Sequence, residues 1–364
     1  MKSPERLLPW LRLLAAPGVG VVRYNQLLRA FGSPQRVFAA DRRALSEIEG
    51  IAERTVAALQ SFRDDGFADL QLERCAKLGA SIVCQDDPEY PPTLRQLADA
   101  PPLLFVRGAL KPQDARSVAI VGSRNASVYG KGIASSLGRD LAHHGFCVVS
   151  GMARGIDTAG HRGALDGNGR TVAVLGCGVD VCYPPENEQL RDRIIEQGAV
   201  ISEYPFGEEP LSGHFPSRNR IITGMSLGTV AVEAREDSGV FSSVRWASDQ
   251  GREVFAVPGP VTAATSKGTN QLIKQGAKLV QTVDDILEEL KVSIPPMPAV
   301  PEPPKPQPEK AEQPVFQALL DAPLHIDLIA QSAKTNTSEA LRILLSLELK
   351  GMARQLPGKM FVRI

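Results

Sequence analysis

The sequence predicts an α/β fold built on a doubly wound, mostly parallel sheet, with a helical piece before it and a small helix-and-hairpin unit after it. Three observations carry that expectation. Between Ser117 and about Val283, short apolar runs alternate with amphipathic stretches and with turns rich in Gly, Ser and Arg, the pattern of strands crossed by helices. In the first 63 residues the apolar positions recur at helical spacing. Nine prolines among Lys, Glu and Gln between Pro295 and Pro314 cannot bury a core and predict an extended spacer.

In chain order, Leu11, Leu14 and Ala15 give one helical face. Pro17-Gly18-Val19-Gly20 gives a tight turn, and Tyr24, Leu27, Leu28 and Phe31 give a second stripe that Gly32 stops. A looser copy follows through Leu45, Ile48, the turn Glu49-Gly50-Ile51-Ala52, then Val56, Ala57 and Leu59. Helix, Gly-x-Gly turn, helix is the helix-hairpin-helix order, whose turn N–H groups can hold a phosphate. The alternative is a helical bundle that only packs, and Ala52 in place of the second glycine favours it. Strands are expected at Ala80–Cys84 and Leu103–Val106 in a bridge, then at Val118–Val121, Phe146–Ser150, Val172–Leu175, Ala199–Ser202, Thr229–Glu233, Glu253–Val257 and Lys278–Val280. Helices are expected between most of them, as at Gly130–His143, Glu186–Gln197 and Ser242–Gln250. After the prolines, helical runs at Val315–Leu320, Ile326–Ala333 and Ser338–Leu349 precede strand-like Met352–Gln355 and Met360–Ile364 around Pro357-Gly358. Three helices and a hairpin is the winged-helix order.

Lys plus Arg and Asp plus Glu both number 41, so no global attraction to nucleic acid or anionic lipid exists and any such binding rests on local charge. The first 63 residues hold that asymmetry, ten Arg/Lys against five Asp/Glu. Five cysteines form no CxxC pair, several lying in apolar runs, which predicts buried thiols in a reducing cytosol. No signal peptide and no bilayer-length apolar run are read. A cytoplasmic protein is expected.

The functional residues are expected where strands end. In a parallel sheet those ends share one edge with helix N-termini, an arrangement suited to anions. Val121-Gly122-Ser123-Arg124 puts a guanidinium there, and neither GxGxxG nor GxxxxGK[ST] accompanies it, which argues against a dinucleotide or P-loop site. An arginine on a small turn suits a phosphate, or a structural pairing with a carboxylate. In Ser150-Gly151-Met152-Ala153-Arg154-Gly155-Ile156-Asp157 the glycines permit close backbone approach. Asp157 and His161 read as a cap and a helix-packing histidine. Gly176-Cys177-Gly178-Val179-Asp180 and Tyr183-Pro184-Pro185 close the third strand in the same way. The densest candidate is Phe215-Pro216-Ser217-Arg218-Asn219-Arg220-Ile221-Ile222. Arg218 and Arg220 cannot both face the core, so at least one is expected at the anion edge or paired with Glu203 or Glu233. Phe215 either stacks on a base or packs. With aromatics at 5%, backbone contacts with little sequence preference are expected. No HExxH, GxSxG or acid cluster at metal spacing is present, so no catalytic group, metal or cofactor is expected.

These blocks together resemble the DprA/Smf (DNA-processing protein A) family: Ala119-Ile120-Val121-Gly122-Ser123-Arg124, Ser150-Gly151 through Gly155-Ile156-Asp157 and His161, Ala173-Val174-Leu175-Gly176, Tyr183-Pro184, Phe215-Pro216 through Arg218-Asn219-Arg220-Ile221-Ile222, and Val254-Phe255-Ala256-Val257-Pro258-Gly259. Gly268, Asn270, Leu272-Ile273 and Gly276-Ala277 continue the match, which covers about 200 residues. The resemblance implies an extended Rossmann-type body at 66–292, a helix-hairpin-helix/SAM-like domain at 1–65, a linker at 293–314 and a winged helix at 315–364. It also implies a non-enzymatic, dimeric single-stranded DNA-binding protein of natural transformation and recombination, one that protects incoming strands and loads the RecA recombinase. Its DNA pocket would comprise Gly122, Ser123, Arg124, Gly151, Phe215, Arg218, Asn219 and Arg220. The chain departs from the family at Pro185 and Ser212, where some members carry lysine, at Gly160, where alanine is usual, and at Ser238-Gly239-Val240-Phe241-Ser242-Ser243-Val244, where SGSLITA is usual. The last change is expected to touch helix packing or a dimer surface more than DNA binding.

Two other readings compete. Gly228-Thr229 followed by Glu233 faintly resembles the GT-x-x-E signature of lysine-decarboxylase-like nucleotide phosphoribohydrolases, without the preceding PGG. The C-terminal unit would read duplex sequence if its helix, exposing Glu339, Arg342, Ser346 and Lys350, entered a major groove. Its weak positive charge favours a protein contact instead.

Overall fold

A computed structural model describes residues 3–290, 308–320, 323–356 and 358–363. The chain separates into two compact units, Met1–Ile294 and Pro295–Ile364. In the first, nine strands form one sheet: β1 (Ser81–Cys84), β2 (Leu103–Gly108), β3 (Ser117–Val121), β4 (Cys147–Ser150), β5 (Thr171–Val174), β6 (Ala199–Ser202), β7 (Gly228–Ala231), β8 (Glu253–Ala256) and β9 (Lys278–Leu279). Their order is β1-β2-β6-β5-β4-β3-β7-β8-β9. The seven strands from β6 to β9 are parallel, while β2 runs antiparallel to β6 and to β1. The seven expected body strands are all present and parallel, with β7 ending two residues before the expected Glu233.

The strands are short and buried on both faces, as a parallel sheet covered by helices requires. Along β5, Val172 and Val174 join one cluster with Ile221, Ile222 and Met225 of the helix His214–Met225. Ala173 joins another with Leu11, Leu27 and Val56 of the N-terminal helices. Those helices (Pro4–Ala15, Val21–Phe31, Pro34–Ala39, Arg42–Ser46 and Glu53–Ser61) therefore share a core with the sheet. Trp10 and Tyr24 stack at 6.1 Å, and Tyr24 Oη donates to the Trp10 carbonyl at 2.9 Å, a contact worth about 0.5–1.5 kcal/mol beyond its area. Arg23 ties the two Gly turns together, donating to the Gly18 carbonyl at 2.7 Å and the Gly50 carbonyl at 3.3 Å. The helix Phe67–Lys77, which packs on Pro4–Ala15, was not expected. Its Ala68, Gln71 and Cys75 are too few and too mixed to give a stripe.

The second unit holds helices Gln313–Ala318, Ile326–Ser332 and Thr337–Leu349 and strands β10 (Leu324–His325), β11 (Ala353–Leu356) and β12 (Met360–Arg363), ordered β10-β12-β11. The expected three helices and hairpin are there, and the two-residue β10 was beyond reach of any periodicity. The prolines expected to form a spacer at 293–314 lie mainly outside the described residues, and the end of that span is no free spacer. Glu309 and Glu312 accept from Lys350 Nζ at 2.7 and 2.8 Å, and Ser346 Oγ donates to Glu312 at 2.7 Å. These bonds hold the Glu312 carboxyl down to about 2. Ser346 and Lys350 are thus half-buried and engaged, and Arg342 pairs with Glu339.

The helices Val128–His143 and Ile156–Asp166 meet backbone to backbone. A Cβ on Gly163 would stand 2.0 Å from the Ser135 carbonyl oxygen, and one on Gly138 2.4 Å from that of Gly160. At Gly160 itself an alanine would press on Ile120 at 3.2 Å, so that departure leaves a looser fit there. Overpacking of this kind costs about 1–3 kcal/mol. Gly163→Ala should lower the urea unfolding free energy by about 3 kcal/mol, and wild-type stability would exclude the backbone contact.

Candidate nucleic-acid interface

The order of the parallel strands reverses between β3 and β7, and ligands of open α/β sheets bind at the carboxyl ends of strands beside such a switch. A crevice of about 650 Å³ lies there. Gly122, Ser123 and Arg124 leave β3 into it, and Phe215, Arg218 and Asn219 enter from the helix His214–Met225. Arg235, Ser238 and Gly239, following β7, close the far side. Six of the eight sequence-predicted residues therefore meet in one place.

Gly122 is required by packing. A Cβ there would lie 2.4 Å from Ile156 Cγ1, and one on Gly155, at φ +77°, would lie 2.2 Å from the Ser123 carbonyl oxygen. The Ser123 N–H donates to the Glu233 carbonyl and its carbonyl accepts from the Ile156 N–H, so the turn is pinned on both sides. Arg124 is exposed, and its guanidinium lies 5.2 Å over the Phe215 ring. The ring is half-buried against Tyr183 at 5.4 Å. Phe215 thus packs, and supports the cation through its π face. Among the described residues no carboxylate pairs with Arg124 or with the exposed Arg235, so both forks are available to an anion.

Arg218 and Arg220 depart from expectation. Both are buried, at 4% and 6% exposure. Arg218 Nη1 donates to the Gly151 carbonyl at 2.9 Å and to the Val174 carbonyl. Gly151, in a small recess behind the crevice, leaves space for that guanidinium, which a Cβ would meet at 2.4 Å. Arg220 turns away into a separate cleft, 2.5 Å from Glu203 Oε2 and 3.6 Å from Asp99 Oδ2. Of the two arginines that the resemblance places in the DNA pocket, Arg218 is thus taken up by carbonyls at the crevice and Arg220 lies outside it, which corrects that expectation. One helix sends these side chains to opposite sides, one into carbonyl oxygens and one into carboxylates, because buried charge must be compensated. The expected pairing with Glu203 does form.

Glu233 accepts from the Ser127 N–H at 2.9 Å and hydroxyl at 2.6 Å. It anchors the start of Val128–His143 and does not line the crevice, which leaves the phosphoribohydrolase-like signature without a free acid. The segment 238–244 was assigned to packing or a dimer surface, yet Ser238, Gly239, Val240, Ser242 and Ser243 form crevice wall. Arg235 escaped the sequence reading, although the turn after β7 stands at the switch point once strand order is known.

Beneath the crevice, Asp157 accepts from the N–H groups of Gly151 and Ala153 at 3.1 and 3.3 Å. It binds the preceding loop, whereas a helix cap had been expected. His161 is buried, its Nδ1 2.6 Å from Thr171 Oγ1. Since the Thr171 hydroxyl donates to the Val148 carbonyl, Nδ1 carries the proton and Nε2 has no partner among the described residues. Burial raises the Asp157 carboxyl to about 6, against the pull of the Arg218 charge. Burial, aided by that charge, lowers His161 to about 3.

The sequence matches the DNA recombination-mediator protein A profile over residues 81–291, the DprA winged helix domain over 298–359 and the DprA-like N-terminal HHH domain over 4–54. The chain belongs to the DNA recombination-mediator protein A family. It is 40% identical over 283 residues to Protein Smf of Escherichia coli (strain K12), covering 76% of each chain. It is 43% identical over 247 residues to DNA processing protein DprA of Streptococcus pneumoniae (strain ATCC BAA-255 / R6), covering 68% of this chain and 86% of that one. The crystal structure of the Streptococcus pneumoniae protein superposes with a TM-score of 0.69 at 34% identity, over 78% of this chain and 97% of the other. A structure of DNA processing protein A from Helicobacter pylori, described for its single-stranded DNA binding mode, superposes at 0.53 and 30% identity, over 58% and 95%.

The two buried titrations under the crevice oppose one another. Below about pH 6.5 the unfolded chain protonates its histidine while folded His161 stays neutral, which costs stability. Below about pH 6 folded Asp157 takes a proton that an unfolded aspartate, at about 3.9, does not, which restores it. Asp157→Asn keeps an acceptor for both amides and removes the restoring half. Between pH 6 and 4.5 the variant should lose about 1.5 kcal/mol more than wild type in urea titrations; parallel acid profiles would exclude the balance.

Proposed function

We propose that this chain binds single-stranded DNA in the β3/β7 crevice as a DNA-processing protein of transformation and recombination. The observation that carries the reading is Arg124, an exposed guanidinium held over Phe215 with no carboxylate partner among the described residues, at a strand-edge crevice in a neutral chain. Relatives at 34–43% identity carry DNA-processing names, and the Helicobacter pylori neighbour is described with single-stranded DNA, in keeping with this.

Arg124 and Arg235 engage successive phosphates of one strand, and Ser123, Asn219 and Ser242 offer uncharged contacts beside them. A bent single strand fits a cavity of this size, whereas a duplex is too wide and stiff. With phosphates as the main targets, sequence preference is weak. Binding without catalysis is the proposed role: Asp157 and Glu233 are engaged in holding backbone, and Asp237 is an exposed acid of the crevice wall. In the wider reading the protein acts in the cytoplasm as a dimer through its sheet body, protects incoming strands and hands them to the RecA recombinase. The pieces 1–65, 66–292, 293–314 and 315–364 serve as helical, DNA-binding, tethering and accessory parts. Because the C-terminal helix has its cations paired with Glu309, Glu312 and Glu339, a protein contact suits it better than a major groove.

The test is a fluorescence anisotropy titration of the full chain with labelled oligo-dT and a matching duplex at two salt concentrations. Wild type should prefer the single strand. Arg124→Ala should weaken binding and flatten the slope of log K against log salt by about 0.7, the loss of one phosphate contact. Equal affinity for duplex, or an unaltered slope and affinity in the variant, would remove the crevice from DNA binding.

A further inference from the structure

A second cavity, a cleft of about 760 Å³, lies on the other side of the helix His214–Met225. Its walls come from two parts of the fold. The start of the helix Val21–Phe31 contributes Gly20, Val21, Val22 and Arg23, and the sheet body contributes Asp99, Glu203, Tyr204, Arg220 and Trp246. The Gly20 cap provides no side-chain hydrogen bond to the first turn of the eleven-residue helix, and that turn lines the cleft with its N–H groups uncapped by any side chain. Independently, Arg220 is 94% buried on the cleft wall: Nη2 donates to Glu203, Nε lies 3.6 Å from Asp99, and the buried Nη1 has no partner among the described residues.

The charges select the ligand. Arg23 and Arg220 are matched by Asp99 and Glu203, so a bare anion gains no net attraction. A nucleotide fits better. Its phosphate is received by the helix start, where the dipole favours negative charge. Its base carries both acceptor and donor edges for Arg220 and Asp99. Trp246, half-exposed and fixed by its Nε1–H donating to the Pro216 carbonyl at 3.2 Å, supplies a ring face.

We propose that this cleft is a second nucleotide subsite for the same single strand, reached by crossing the helix that bears Phe215 and Arg218 on one side and Ser217 and Arg220 on the other. The inference rests on the single-strand reading of the first crevice. It makes the N-terminal helix-turn-helix piece part of the DNA path, where otherwise it only packs.

The test uses the full chain, oligo-dT from four to twenty nucleotides, free dTMP, and the variant Val22→Glu. Val22 is 58% exposed, and a carboxylate in a first helical turn favours the helix while repelling a phosphate there. Wild-type affinity should step upward above a threshold length, with quenching of tryptophan fluorescence that Trp246→Phe removes. Val22→Glu should abolish the step, weaken the longest oligomer at least fivefold and reduce its salt slope by about 0.7, leaving the shortest oligomer unaffected. A Val22→Glu protein indistinguishable from wild type, or equally impaired at every length, would overturn the subsite while the first crevice stands. Quenching by dTMP as strong as by the long strand would make the cleft a mononucleotide site and also overturn it. Wild-type protein that binds no oligomer at all would overturn both.

Discussion

The strand-edge site depends on one buried cation. Arg218 lies under the crevice floor, donating to carbonyls at the ends of β4 and β5 and close enough to Asp157 and His161 to shift both. Loop carbonyls that would otherwise be stranded in a dry interior are satisfied by it, and the carboxylate is partly compensated. Burial lowers Arg218 to about 10, so it stays charged at neutral pH. With the loops held this way, Phe215 packs against Tyr183 and its face is free to carry Arg124. The exposed charge that meets solvent is thus positioned by one that does not.

Much of this was legible in the sequence, for physical reasons that differ by region. The parallel strands announce themselves because burial on both faces demands continuous apolar runs such as Val172–Leu175, and the turns at Gly122 and Gly151 because only glycine fits there. Charge location was harder. Arg218 and Arg220 are two residues apart on one helix, which sets their side chains on opposite sides, but spacing alone does not say which side holds carbonyls and which carboxylates. Arg235 was missed because its importance comes from β7 lying beside β3, a pairing between segments more than a hundred residues apart. The segment 238–244 was read as packing for the same reason.

The N-terminal helices show a further limit. Their stripes predicted a separate helical piece, yet Leu11, Leu27 and Val56 share a cluster with Ala173 and Leu175. A stripe tells that a helix covers something apolar and is silent about what. The joint it makes with the sheet body also creates the Arg220 cleft, which no single segment of sequence contains.

The contact between Gly151 and the Arg218 guanidinium has a corollary. Space at the first position exists only to be filled by the second, so neither can drift alone. A methyl group at 151 would collide with the cation, and a shorter residue at 218 would strand the carbonyls and leave a void. A change at either position therefore alters what the other must accommodate, and the two are coupled through the cation's hydrogen bonds.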